Sequence, residues 1–161
     1  MYHAPLENMP EIPTGDHVGA FGVVRKHHIH EGVDLYCEPH SVVYAMESGI
    51  VKYVGQFTGK EVGSPWWNTT YCVMIEGETV LLNYGEVVSL VNVGEIVKAG
   101  DPIARVVPVL KKYKGKPMCM LHIERYKMFA TKPIKEWTLG NQKPYTLLNP
   151  TRILLTVGES K

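Results

Sequence analysis

With 161 residues, 18.1 kDa and a net charge of +1 at pH 7, the chain is long enough for one domain with a single core and needs no disulfide staples. Its lysines and arginines are scattered, which excludes the electrostatic footprint of a nucleic-acid or anionic-membrane binder. No apolar run approaches membrane-spanning length.

Residues 1–18 hold three prolines and little periodicity, which predicts an extended strap laid over the domain. The opening MYHAPLENMPEIPTG has no apolar stretch of the kind a signal peptide requires. The run HHIHEGVDLYCEP follows, in which His30 and Asp34 straddle Gly32. A glycine there lets the chain turn and aim both side chains at one point. Thereafter strands and turns alternate. Ser41–Ala45 and Gly49–Gly55 read as two strands, and Tyr71–Ile75 and Thr79–Tyr84 flank Glu76-Gly77-Glu78 as a hairpin. Val91 to Val97 leads into a turn at Lys98-Ala99-Gly100-Asp101, and Ile103–Leu110 is a further strand. Lys111-Lys112-Tyr113-Lys114-Gly115-Lys116 reads as a solvated loop. The last long strand is Cys119–Tyr126, where Leu121, His122, Ile123 and Glu124 alternate apolar and polar, so His122 and Glu124 share a face. Short helices are expected over 133–139 and 149–155, the second capped at Asn149-Pro150-Thr151. Turn signals about every ten residues predict an antiparallel all-β domain with minor helix.

Two imidazoles and one carboxylate from the His30 and His122 segments make a three-ligand set for zinc that leaves a fourth position open. Taken singly, each segment is only a histidine near an acid. The three cysteines, Cys37, Cys72 and Cys119, form no CxxC and read as buried thiols folded in a reducing compartment.

These residues resemble the M23 family of zinc metallopeptidases, the lysostaphin- and LytM-type peptidoglycan endopeptidases. His30, Gly32 and Asp34 match its early HxGxD motif, and His122 the second histidine of its late HxH motif. Val43-Tyr44-Ala45 to Gly49-Ile50-Val51, Val93–Gly100 and Leu147-Leu148-Asn149-Pro150-Thr151 resemble further stretches of the family template. Phe21-Gly22, Arg25 and Ser64-Pro65-Trp66-Trp67 resemble a phage and bacterial subgroup. The resemblance implies a domain over 19–156, followed by a tail at 157–161, with a metal-bearing groove on an antiparallel sheet. It implies Zn2+ held by His30, Asp34 and His122, and a peptide substrate in peptidoglycan.

The same template exposes two departures. Where the family carries two further histidines beside the metal, this chain has Met120 and Glu86. A thioether can neither take a proton usefully nor donate to an oxyanion, whereas Glu86 can serve as general base. Met120 and Glu124 therefore flank the metal without binding it, and activity is expected to be reduced. The alternative is an inactive structural or binding module, for example in a phage tail or baseplate. Trp66, Trp67 and Tyr84 are candidates for the substrate groove, with core packing as the competing role. His27 and His28 crowd the motif, while His40 sits in a turn. The expected setting is a bacterial cytoplasm, followed by incorporation in a virion or delivery to the periplasm.

Overall fold

The computed structural model describes residues 2–115, 117–134 and 136–159. Lys116 of the expected basic loop, Lys135 of the first expected helix and residues 160–161 of the expected tail lie outside them. Eleven strands form among the described residues, every pairing antiparallel. They are β1 (His28–Ile29), β2 (Val33–Tyr36), β3 (Val42–Tyr44), β4 (Gly49–Thr58), β5 (Thr70–Gly77), β6 (Leu81–Ser89), β7 (Ile96–Val97), β8 (Pro102–Val106), β9 (Met120–Tyr126), β10 (Trp137–Thr138) and β11 (Leu147–Leu148). One α-helix, α1 (Thr151–Glu159), follows, too short to cross a membrane.

The main sheet runs β11-β9-β6-β5-β4-β7, with β2 also on β9 and β8 bridging β6 to β3. Strand β6 changes partner midway: Leu81 to Gly85 pair with β9, and Val87 to Ser89 pair with β8. Between the two halves stands Glu86, at φ 65, where the register against β5 also shifts. A bulge of this kind bends the strand and re-aims one side chain.

Alternation divides the sheet into two faces. Leu121 and Ile123 of β9, Leu82 and Tyr84 of β6, and Val33 and Leu35 of β2 turn into the main core. Truncating any of these aliphatics to alanine should cost about 2–5 kcal/mol. Residues 2–12 lie over that core, with Tyr44 N–H donating to Pro5 O and with Leu6 and Ile12 buried. The opposite face of β9 carries His122, Glu124 and Tyr126. Tyr126 joins Met74, Leu81, Ala130 and Leu147 in a second, smaller core.

Three expectations need correction. The described residues of 133–139 form no helix: Trp137 and Thr138 pair with β1, and the Trp137 N–H donates to Glu31 Oε1 at 2.8 Å. The β5–β6 turn falls after Gly77, not around it, because Gly77 N–H donates to Val80 O and a Cβ on Gly77 would collide with Glu47. Cys72 and Cys119 are buried as expected, but Cys37 is only half-buried just past the end of β2. The second helix forms as α1, with Asn149 Oδ1 accepting from Thr151 N–H at 2.9 Å.

Candidate metal centre

Asp34 and His122 are register partners across β2 and β9, and Gly85 is the partner of His122 on β6. His30 arrives from the turn before β2, tied at its backbone to Val23 and Gly22. Gly32 makes this possible by absence of bulk, not by turning. A Cβ there would lie 2.4 Å from Ile123 O and 2.8 Å from His122 Nε2.

Three ligand atoms converge. His30 Nε2 lies 3.2 Å from Asp34 Oδ1 and 3.3 Å from His122 Nδ1, and the last two are 2.8 Å apart. Ligand atoms around a tetrahedral zinc stand about 3.3–3.6 Å apart, given bonds of 2.0–2.2 Å, so this set fits the ion once it opens by a few tenths of an ångström, most at the Asp34–His122 pair. Each histidine has its other nitrogen committed. His30 Nδ1–H donates to Ala20 O at 2.9 Å, leaving the Nε2 lone pair for a metal. His122 Nε2–H donates to Glu124 Oε2 at 3.0 Å, leaving Nδ1. Glu124 is itself held, accepting on Oε1 from Asn83 Nδ2 at 3.0 Å and Tyr126 Oη at 2.7 Å. Arg25 Nη2 donates to Asp34 Oδ2 at 3.0 Å and to Val18 O at 2.9 Å.

The electrostatics point the same way. Burial works against the Asp34 charge, but the facing His30 and the hydrogen bonds of both histidines hold its carboxyl well below the usual range. Burial likewise disfavours a His122 cation, yet hydrogen bonds to Asp34 and Glu124, with their charges, raise its pKa well above normal. Without a metal, the site therefore keeps a proton on His122 where two carboxylates demand positive charge.

Glu86 is 9 % exposed, and its Oε2 is buried without a hydrogen-bond partner among the described residues. Burial, then the Asp34 charge, push its carboxyl up to about 8, opposed by His122 and Arg25. Met120, also buried, lies on the His122 face by strand parity. Phe57 packs its ring 5.3 Å from the His122 ring, over Gly85, where a Cβ would meet Phe57 at 2.8 Å. Phe57, Asn83 and Tyr126 carry no sequence signal that marks them as site residues. The one local clue is Gly85, a strand glycine beside a candidate base.

The other candidates fall elsewhere. Tyr84 is fully buried among core side chains, with its hydroxyl accepting from Met46 N–H at 2.9 Å. It is thus placed in the core, not in a groove. Trp66, 61 % exposed, and Trp67 line a cleft of about 240 Å³ with Leu110, Lys111, Lys112 and Lys114, and no triad residue borders it. His27 and His40 are exposed, and His28 is half-buried in β1.

Comparison with known proteins places this arrangement. The sequence model of peptidase family M23 matches residues 28–135, more than half of the chain. Among solved structures, the catalytic domain of the antimicrobial peptidase lysostaphin from Staphylococcus simulans is similar at 19 % identity and a TM-score of 0.58, over 85 % of this chain and 89 % of that one. The catalytic domain of the prophage-encoded M23 protein EnpA from Enterococcus faecalis, in a mutant form, is similar at 20 % identity and a TM-score of 0.55, over 91 % and 94 %. A zinc-containing peptidase from Vibrio cholerae is similar at 23 % identity and a TM-score of 0.53, but the match spans 77 % of this chain and only 36 % of that one. No curated protein sequence matches significantly. Antiparallel sheet, buried His-Asp-His cluster and family match agree: the chain belongs to peptidase family M23.

Proposed function

We propose that this chain is a zinc-dependent peptidase acting on the peptide cross-links of peptidoglycan, with Glu86 as its general base. The observation that carries the reading is Glu86 itself. Its backbone is held in a left-handed conformation at a strand junction, and one oxygen of its buried carboxyl is left without a partner beside the triad. Strain and an orphaned acid together mark a functional position more often than a structural one.

His30, Asp34 and His122 would hold zinc, which when bound polarises a peptide carbonyl and acidifies water. The chain's own residues do the rest. Arg25 fixes Asp34, Glu124 fixes the His122 tautomer, and Phe57 screens the His122 ring from water. Glu86 receives the proton released as water attacks. The similarity to lysostaphin, an antimicrobial peptidase, and to a prophage-encoded M23 protein supports a cell-wall substrate. With methionine at 120 no imidazole donates there to the developing oxyanion, and a site with no donor in its place would lose roughly a hundred- to a thousand-fold in rate.

The test is release of soluble peptide from purified peptidoglycan by the zinc-loaded protein. Glu86→Gln should abolish release while leaving zinc content unchanged, and Met120→His should raise it. A second reading, an inactive M23-fold module in a virion component such as a tail or baseplate, is favoured by Met120 alone. It takes over if the parent is inert and both substitutions change nothing.

A further inference from the structure

Met120 has a polar group on either side of it in the sheet. On β6, Glu86 follows the Gly85 that pairs with His122. On β2, Tyr36 is the register partner of Met120, as Asp34 is of His122. Residues two apart on a strand share a face, so the Tyr36 phenol stands on the face that carries Asp34, Met120 and His122. The strands of Tyr36 and Glu86 are two inter-strand spacings apart, about 10 Å, which leaves room for a peptide to cross over Met120.

The position of the phenol is well determined. A Cβ on Gly19 would lie 3.3 Å from both the Tyr36 hydroxyl and the Asp34 Cβ, so both groups border the same point. The His17 ring braces the Tyr36 ring at 6.1 Å. The hydroxyl makes no hydrogen bond among the described residues, although the charges of Asp34, Arg25 and Glu86 all act on it. Arg25 is the other donor nearby; its Nη2 is committed to Asp34 and the Val18 carbonyl, and its Nε is buried without a partner among the described residues. The side chain is half-buried.

We propose that the Tyr36 hydroxyl is the hydrogen-bond donor to the reacting carbonyl oxygen of the peptide substrate, replacing an imidazole at position 120. This rests on the peptidase reading above. The phenol neither gains nor loses its proton; it donates one hydrogen bond that strengthens as negative charge develops on the carbonyl oxygen. Glu86 and Tyr36 thereby divide between them, from opposite sides of Met120, the proton-accepting and donor roles.

The test compares the zinc-loaded parent with Tyr36→Phe, which removes one oxygen and leaves the ring. Cleavage of purified peptidoglycan should show kcat lowered roughly a hundred-fold or more with KM little changed, and zinc content and Tm should stay at parental values. A second readout needs no turnover: the affinity of each protein for a tetrahedral phosphinic peptide relative to the matching planar amide. Tyr36→Phe should lose roughly ten-fold of that preference. Adding Met120→His to Tyr36→Phe should recover both. If the parent cleaves and Tyr36→Phe equals it in kcat and phosphinate preference, the Tyr36 role is overturned while the peptidase reading stands. If the parent is inert but Tyr36→Phe still loses the phosphinate preference, the peptidase reading fails and the donor role survives. An inert parent with no phosphinate preference overturns both.

Discussion

Glu124 Oε2 lies 3.0 Å from His122 Nε2, so the edge of the ring that faces away from Asp34 is already committed. Asn83 and Tyr126 hold the other carboxylate oxygen, and all four side chains are buried. His122 can thus offer a metal only its Nδ1. The neutral Glu124→Gln keeps the shape but no longer imposes that tautomer or raises ring basicity. Zinc affinity should fall about ten- to a hundred-fold, measured by competition with a chromophoric chelator. An unchanged affinity would make the Glu124 network purely structural.

Zinc uptake should release protons. In the metal-free protein the His122 pKa is raised well above the usual imidazole value, so at neutral pH its ring is protonated and must lose that proton to become a ligand. Titration calorimetry of zinc binding in two buffers of different ionisation enthalpy should show about one proton released per site. Apparent affinity should rise with pH until the imidazolium is gone. Binding heats independent of buffer would contradict the assignment of the proton to His122.

Glu86 ties metal-free stability to pH in the opposite sense from an ordinary paired carboxylate. Its folded-state pKa, about 8, lies above the unfolded value. Stability from this group is fully present below the unfolded carboxylate pKa, near 4.3, and is lost as pH rises through about 8. Glu86→Gln should therefore stabilise the chelator-treated protein at pH 9, by about 1–3 kcal/mol in denaturant melts, with much less gain at pH 5. Equal gains at both would mean that Glu86 is ionised throughout.

Gly32 is required for close approach. In Gly32→Ala the new methyl would press on Ile123 O and the His122 ring, forcing β2 away from β9. Unfolding free energy should drop by about 1–3 kcal/mol, and zinc binding should weaken more than it does in Glu124→Gln. Parental stability and affinity together would show that the turn before β2 yields more easily than its packing implies.

Much of the site is legible in the sequence because it is local. The alternation around His122 marks β9, and the His30–Asp34 spacing marks one ligand pair within five residues. The role of Gly32 is not local: its spacing suggests a turn, whereas the clash with Ile123 is visible only once β2 and β9 are paired. Tyr84 looks available until its pairing with Ile123 turns it into the core. Phe57 and Asn83 reach the site through β4, β5 and β6, whose register shifts at Val51/Tyr53, Gln56/Thr58 and Tyr71/Cys72. No run of residues states such shifts in advance. Trp137 leaves the expected helix to pair with β1, where Glu31 accepts its N–H, a contact 106 positions away in sequence.

The central claim, that His30, Asp34 and His122 form one metal centre, is tested most directly by elemental analysis of protein purified without chelator. About one zinc per chain is expected from a single three-ligand site. His122→Ala should lose it, and His40→Ala, altering an exposed histidine in a turn, should keep it. A parent without metal that takes up no more zinc than His122→Ala would contradict the account.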